Sequence, residues 1–152
     1  MGVEIERKFL VKDQSFKDLA SETRNITQGY LVQSNGFSVR IRTTDTEAVL
    51  TIKGPSSNNG LTRFEFNQVI PMEEARQMLE LCSGSLIEKC RYLVHYKDHL
   101  FEVDEFFGKN QGLVIAEVEL ESENEPFEKP AFIGEEVTGI PRYYNSYLAL
   151  NP

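Results

Sequence analysis

Charged and apolar side chains alternate along most of this chain. The alternation runs through residues 3–11, 37–43, 48–53, 62–70, 87–96, 100–107 and 113–121, and a period of two marks β-strands with two distinct faces. A shorter run at 27–32 adds another candidate strand. Turn signals separate the runs, among them Ser34-Asn35-Gly36, the stretch from Gly54 to Gly60, and Lys97-Asp98-His99. Most connections are short enough for antiparallel hairpins. Helical spacing is confined to residues 15–22 behind a serine cap, 72–83, and a segment within 142–149. In the second of these, Met72, Ala75, Leu79 and Cys82 form one stripe, with Glu73 and Glu74 in the first turn, the pattern of a helix lying on a sheet. About eight strands with few helices predict an α+β domain whose antiparallel sheet is closed or strongly curved.

The charges sort by face. In the first strand Glu4, Glu6 and Lys8 share one side, while Val3, Ile5 and Phe9 share the other with Arg7 among them. The sorting recurs with Arg40 and Arg42, Lys53, Arg63 and Glu65, Lys89 and Arg91, Glu102 and Asp104, and Glu117 and Glu119. The simplest reading of any one such strand is a wetted polar face. Repetition weakens that reading, because a solvated face mixes in Ser, Thr, Asn and Gln. Here Glu-x-Glu, Arg-x-Arg and Lys-x-Arg pairs stand at successive same-side positions. Like charges so placed repel unless opposite charge lies between strands or is bound there. If the sheet closes with these faces inward, the carboxylates suit an oxygen-loving divalent cation and the bases suit phosphate. Acids for a metal beside bases for phosphate make a site for metal-assisted phosphoryl transfer.

Composition narrows the setting. With 152 residues and 40% hydrophobic content, one domain over 1–152 can bury a core without disulfides or a structural metal. A net charge of −8 argues against nucleic acid as a partner. The N-terminal alternation does not have the form of a secretory leader, and no apolar run reaches membrane-spanning length. A cytoplasmic protein with no membrane partner is expected. Glu6 occupies the position where a myristoylation signal needs Ser or Thr. Cys82 and Cys90 lack metal or redox spacing and read as packed thiols. His95 and His99 flank a turn away from any nucleophile, and Gly54-Pro55 and Gly108-Lys109 lack nucleotide-loop spacing. Assembly as a homodimer is the expectation from base rates alone.

The opening Glu4-Ile5-Glu6-Arg7-Lys8 is an ExExK motif that resembles the defining signature of the CYTH superfamily of triphosphate tunnel metalloenzymes. It is followed, in that family's order, by Gln28-Gly29-Tyr30-Leu31, Arg40-x-Arg42, Thr51-Ile52-Lys53, Arg63-x-Glu65, Glu88-Lys89-Cys90-Arg91-Tyr92, Glu102-Val103-Asp104 and Glu117-Val118-Glu119. Gly134-Glu135-Glu136-Val137-Thr138 and Arg142-Tyr143-Tyr144-Asn145 extend the likeness over nearly the whole chain.

The resemblance implies an eight-stranded antiparallel closed β-barrel, a tunnel with inward charges and a few flanking helices. By the same likeness Glu4, Glu6, Asp104, Glu117 and Glu119 are the carboxylates for Mg²⁺ or Mn²⁺. Lys8, Arg40, Arg42, Lys53, Arg63, Lys89 and Arg91 are the substrate-binding bases. Glu4, Glu6 and Lys8 belong to the catalytic set with Glu65, a tunnel acid placed to hold a second metal or the attacking water, and Tyr30, a tunnel tyrosine. The implied reaction is metal-dependent hydrolysis of a small linear triphosphate. The short chain and its EIERKF start resemble compact bacterial tripolyphosphatases, which favours inorganic tripolyphosphate as substrate. A class IV adenylate cyclase is the alternative, then a thiamine triphosphatase, and outside the enzymes a noncatalytic polyphosphate-binding module. Asn67 stands where members often carry an acid, and Tyr144 and Ser146 where a lysine is often found. Both departures bear on substrate preference and on how the tunnel end closes.

Overall fold

The computed structural model describes residues 2–57 and 60–151. In chain order the elements are β1 (Gly2–Val11), α1 (Phe16–Leu19), β2 (Glu22–Ser34), β3 (Phe37–Thr43), β4 (Ala48–Ser57), β5 (Thr62–Ile70), α2 (Met72–Leu81), β6 (Ser83–Tyr96), β7 (His99–Phe106), β8 (Val114–Glu119), β9 (Ile133–Glu136) and α3 (Asn145–Leu150). Neighbouring strands run β5-β4-β3-β2-β6-β7-β8-β1. Residues Gly2 to Ile5 of β1 then pair back onto Glu65 to Thr62 of β5, which closes an eight-stranded antiparallel barrel. The additional strand β9 joins β1 at Phe9 and Val11.

Closure turns the period-two pattern into an inside and an outside. The apolar outward sides are covered in patches. Phe9, Phe101, Val103, Ala116 and Val118 from β1, β7 and β8 pack with Phe16 of α1 and with Phe132 and Ile133. Ile41 and Ala48 meet Ala75 of α2, flanked by Met72, Met78 and Leu79. The stripe expected on that helix is therefore the one it buries. On the inward side instead, Ile87, Phe106 and Ile115 share the face of Lys89, Asp104 and Glu117 and pack with Tyr30 against Leu148 and Ala149 of α3.

Several elements differ from the pattern. Helix α1 covers only 16–19 of the expected 15–22, because Glu22 to Gln28 pair with Leu93 to Ile87 of β6. Strand β2 is correspondingly longer than 27–32. Its first four residues are polar and exposed, so no alternation announces them. Helix α2 stops at Leu81, with Cys82 already extended ahead of β6. Strand β9 has four residues, too few to display a period. Among the described residues no helix is long and apolar enough to cross a membrane.

Phe101 is fully buried in the largest of these clusters. Phe101→Ala is expected to cost about 3–5 kcal/mol, the transfer loss plus an unfilled cavity. Urea unfolding of the variant against the parent checks it.

Candidate active site

The charged faces converge on a cavity of about 240 Å³. Its walls carry Glu4, Glu6 and Lys8 from β1, Arg40 and Arg42 from β3, Lys53 from β4, and Arg63 and Glu65 from β5. Tyr30, Arg91, Glu102, Glu117 and Glu119 complete the barrel side, and Tyr144, Asn145 and Ser146 enter from the C-terminal segment. On β3 the lining positions Ser38, Arg40 and Arg42 are spaced by two, roughly 6.6–6.8 Å per step. Beyond Arg42, a second cavity of about 360 Å³ continues along the same faces. Arg40, Arg42, Asn67 and Arg91 line both cavities, and Thr44 and Val69 extend the second one outward. The interior is thus a passage with a ring of guanidinium groups between two chambers.

Part of the charge is locked in pairs. Asp104 takes Arg91 in a two-pronged grip, Nε at 2.8 Å and Nη2 at 2.9 Å. Lys89 reaches the same carboxylate at 2.8 Å and donates to Asn145 Oδ1 at 3.0 Å. Burial opposes the charge on Asp104, yet Arg91 and Lys89 hold its carboxyl well below the usual range. One carboxylate does not fully serve two enclosed cations. Burial, with Arg91 and Arg42 adding repulsion, pushes the Lys89 ammonium down to about 7 despite Asp104.

A second group of pairs faces the cavity itself. Lys8 meets Glu117 at 2.7 Å, and Lys53 meets Glu4 at 2.9 Å with Glu65 at 3.6 Å. Arg91 also reaches Glu102 at 3.4 Å and Glu117 at 3.6 Å. Burial is outweighed for Glu117 by Lys8 and Arg91, and for Glu4 by Lys53, so both carboxyls lie below their ordinary values. Among the described residues no three carboxylates gather at ligating distance of one point.

The remaining charges lack such partners among the described residues. Glu6 of β1 and Glu119 of β8 stand directly opposite in the register, an arrangement that like charges disfavour. Burial, Glu117 and Glu4 push the Glu6 carboxyl well above its usual value. Burial, Glu4 and Glu65 raise Glu119. Two unpartnered acids with Glu4 and Glu65 nearby are an oxygen-donor set short of positive charge, which fits a divalent cation. Among the described residues, Arg42 donates only to Gln28 Oε1, at 2.8 Å, and Arg40 to Thr51 Oγ1, at 3.2 Å. Arg40 Nε is buried without a partner among the described residues. Burial, then Arg40 and Arg91, push the Arg42 guanidinium down to about 9. This waist is short of negative charge, as an anion site should be.

Every carboxylate and base expected at the site lines the first cavity except Asp104 and Lys89, which are buried and bound to each other beside it. Tyr30 lines it too, with its ring among Ile87, Phe106 and Ile115. Asn67 accepts from Thr51 at 2.7 Å, so an amide dipole stands beside Arg40 and Arg42 where a carboxylate would have neutralised them. Thr51, Gln28 and Asn145 stand in the family-like motifs but carry no role in the expected site, although each holds a tunnel base. Thr51 lies two residues before Lys53 on the same face, which is the signal that could have found it.

The chain's known relatives share this architecture. The family model described as CYTH domain matches residues 2–144. An inorganic triphosphatase of Acetivibrio thermocellus is 48% identical, across 100% of this chain and 96% of its own. An inorganic triphosphatase of Nitrosomonas europaea is 38% identical, across 97% of each. A crystal structure of an inorganic triphosphatase superposes with a TM-score of 0.68 at 34% identity, covering 99% of this chain and 96% of that one.

Two substitutions separate the locked from the unpartnered charges. Asp104→Asn is expected to cost about 3–5 kcal/mol by stranding enclosed cations, read by urea unfolding. Glu6→Gln should do the opposite in chelator-treated protein. Because folding raises the Glu6 carboxyl, its ionisation destabilises the fold as pH rises above its unfolded value of about 4.3. Melting temperatures should therefore favour Glu6→Gln near pH 8, with the gap closing toward pH 4.

Proposed function

We propose, for a chain that belongs to the CYTH domain family, that its reaction is metal-dependent hydrolysis of a phosphoanhydride bond in inorganic tripolyphosphate. The observation that carries this reading is the coexistence, in one tunnel, of opposed carboxylates and of guanidiniums that have no oppositely charged partner among the described residues. Glu6 and Glu119 call for a cation, and Arg40 and Arg42 call for an anion. The triphosphatase names carried by the full-length relatives agree with it.

Glu4, Glu6, Glu117 and Glu119 would hold Mg²⁺ or Mn²⁺, with Glu65 placed to bind a second ion or to orient the attacking water. When bound, the ion neutralises phosphate charge and makes that water a better nucleophile. Arg40 and Arg42 grip phosphate oxygens through forked hydrogen bonds, while Lys8 and Lys53 act as point charges. Arg63 and Arg91 add donors at the walls. In exchange for substrate, Lys8 and Lys53 give up Glu117 and Glu4, so binding frees both acids for the ion as it engages both bases. Negative charge that builds on the transferred group and the leaving phosphate then meets donors already in place. Asp104, grouped with the metal ligands by family likeness, has its oxygens committed to Arg91 and Lys89. Its part is to aim Arg91, and Lys89 supports the same carboxylate. Tyr30 supplies a firm wall backed by the core. Cys82 and Cys90 are free thiols, as expected in a reducing compartment, and we place the reaction in the cytoplasm.

The purified protein should release orthophosphate from tripolyphosphate only with Mg²⁺ or Mn²⁺, and faster than from ATP or thiamine triphosphate. Cyclic AMP from ATP, or tight binding with no phosphate release, would sink the proposal. Arg40→Ala is expected to lower kcat about 10²–10³-fold, the usual loss for one preorganised donor.

A further inference from the structure

Tyr144 lines both the tunnel and a larger outer chamber. The chamber measures about 630 Å³. It shares Ser38, Arg63, Tyr144 and Ser146 with the inner cavity. Past Ser38 on the same side it continues to Gly36, so it lies at the end of the passage opposite to Thr44. Its wall there is partly apolar, with Pro141, Tyr147 and Leu150. Its volume lies inside the range of roughly 300–1,000 Å³ typical of small-molecule pockets, ample for a nucleoside.

The Tyr144 ring is fixed from both sides. Inside the tunnel, Lys8 Nζ lies 4.7 Å from its centroid, a favourable cation–ring contact. At the other end, its hydroxyl accepts from Gly139 N at 3.2 Å and donates to Gly60 O at 3.3 Å. Those two turns touch: a Cβ on Gly60 would fall 2.5 Å from Gly139 Cα and 2.7 Å from the Tyr144 hydroxyl. Glycine is required at Gly60 by this approach and by its φ of +88°. The ring cannot swing outward without breaking both hydrogen bonds, nor inward without displacing Lys8.

Inorganic tripolyphosphate ends in bare phosphate oxygens, whereas a nucleoside triphosphate continues through an ester into a bulky organic group. We propose that Tyr144 determines specificity by sealing the tunnel from the chamber. It admits a phosphate chain that stops at the ring and rejects one whose organic substituent must pass it. It also positions Lys8 against Glu117. The inference rests on the triphosphate reading of the tunnel but concerns a residue outside the metal and phosphate sets.

Calorimetric binding and kcat/KM for tripolyphosphate and ATP should be compared in the parent, Tyr144→Phe, Tyr144→Leu and Tyr144→Ala. The parent should prefer tripolyphosphate, and Tyr144→Phe should retain that preference because the ring remains. Tyr144→Ala, and to a lesser degree the better-packed Tyr144→Leu, should shift the ratio toward ATP by about 10-fold or more. A parent that takes ATP as well as tripolyphosphate overturns the proposal, as do Ala and Leu variants that lose both substrates in equal proportion. The binding ratio tests the partition even if no variant turns over, an outcome that would count against the hydrolase reading instead.

Discussion

A closed sheet that turns its charged faces inward has to balance that charge without bulk water. Taking ions out of water costs several kcal/mol each unless partners replace the lost hydration. In this barrel closure is made by β1 against β5, and β1 carries Glu4, Glu6 and Lys8 on the enclosed side. The strand that seals the tunnel is therefore also the one that brings the most densely charged motif into it.

The enclosed charges fall into distinct groups, set by what each can reach. Asp104, Arg91 and Lys89 form a compact buried brace tied to the C-terminal segment through Asn145. Lys8 with Glu117, and Lys53 with Glu4, are pairs at the cavity surface. Among the described residues Glu6, Glu119, Arg40 and Arg42 have no opposite charge bonded to them, and loss of hydration and like neighbours disfavour ionisation at Glu6, at Arg42 and at the more exposed Glu119. Strain of this kind marks functional sites, where stability yields to binding. The brace fixes the Arg91 guanidinium against Asp104.

The outer layer is conventional by comparison. Aromatic and aliphatic side chains on the outward faces pack against α1, α2 and the segment around Phe132, while α3 packs on Tyr30, Ile87, Phe106 and Ile115 of the inward faces. Those contacts supply the burial that offsets an unfavourable interior. The C-terminal segment has two roles at once: Leu148 and Ala149 bury against the barrel, while Tyr144, Asn145 and Ser146 reach the tunnel.

The amino-acid sequence by itself determined the strands with clear alternation, the sorting of charge onto one face, and nearly all the residues that line the cavity. Strands β3 and β5 match their alternating runs end to end, because period two is a local property of the chain. Local pattern could not reveal the polar start of β2 or the four-residue β9, where pairing with β6 and with β1 supplies the order. Tertiary structure alone decided which charges became partners. Glu102, Asp104, Glu117 and Glu119 look equivalent in sequence. Asp104 alone of these is bound by both Arg91 and Lys89, and Glu119 faces Glu6. The setting of Tyr144 belongs to the same class of fact, since it unites turns at Gly60 and Gly139 with Lys8 on β1. Coulomb and hydrogen-bond energies depend on distances across the closed barrel, and those distances exist only once distant strands have met.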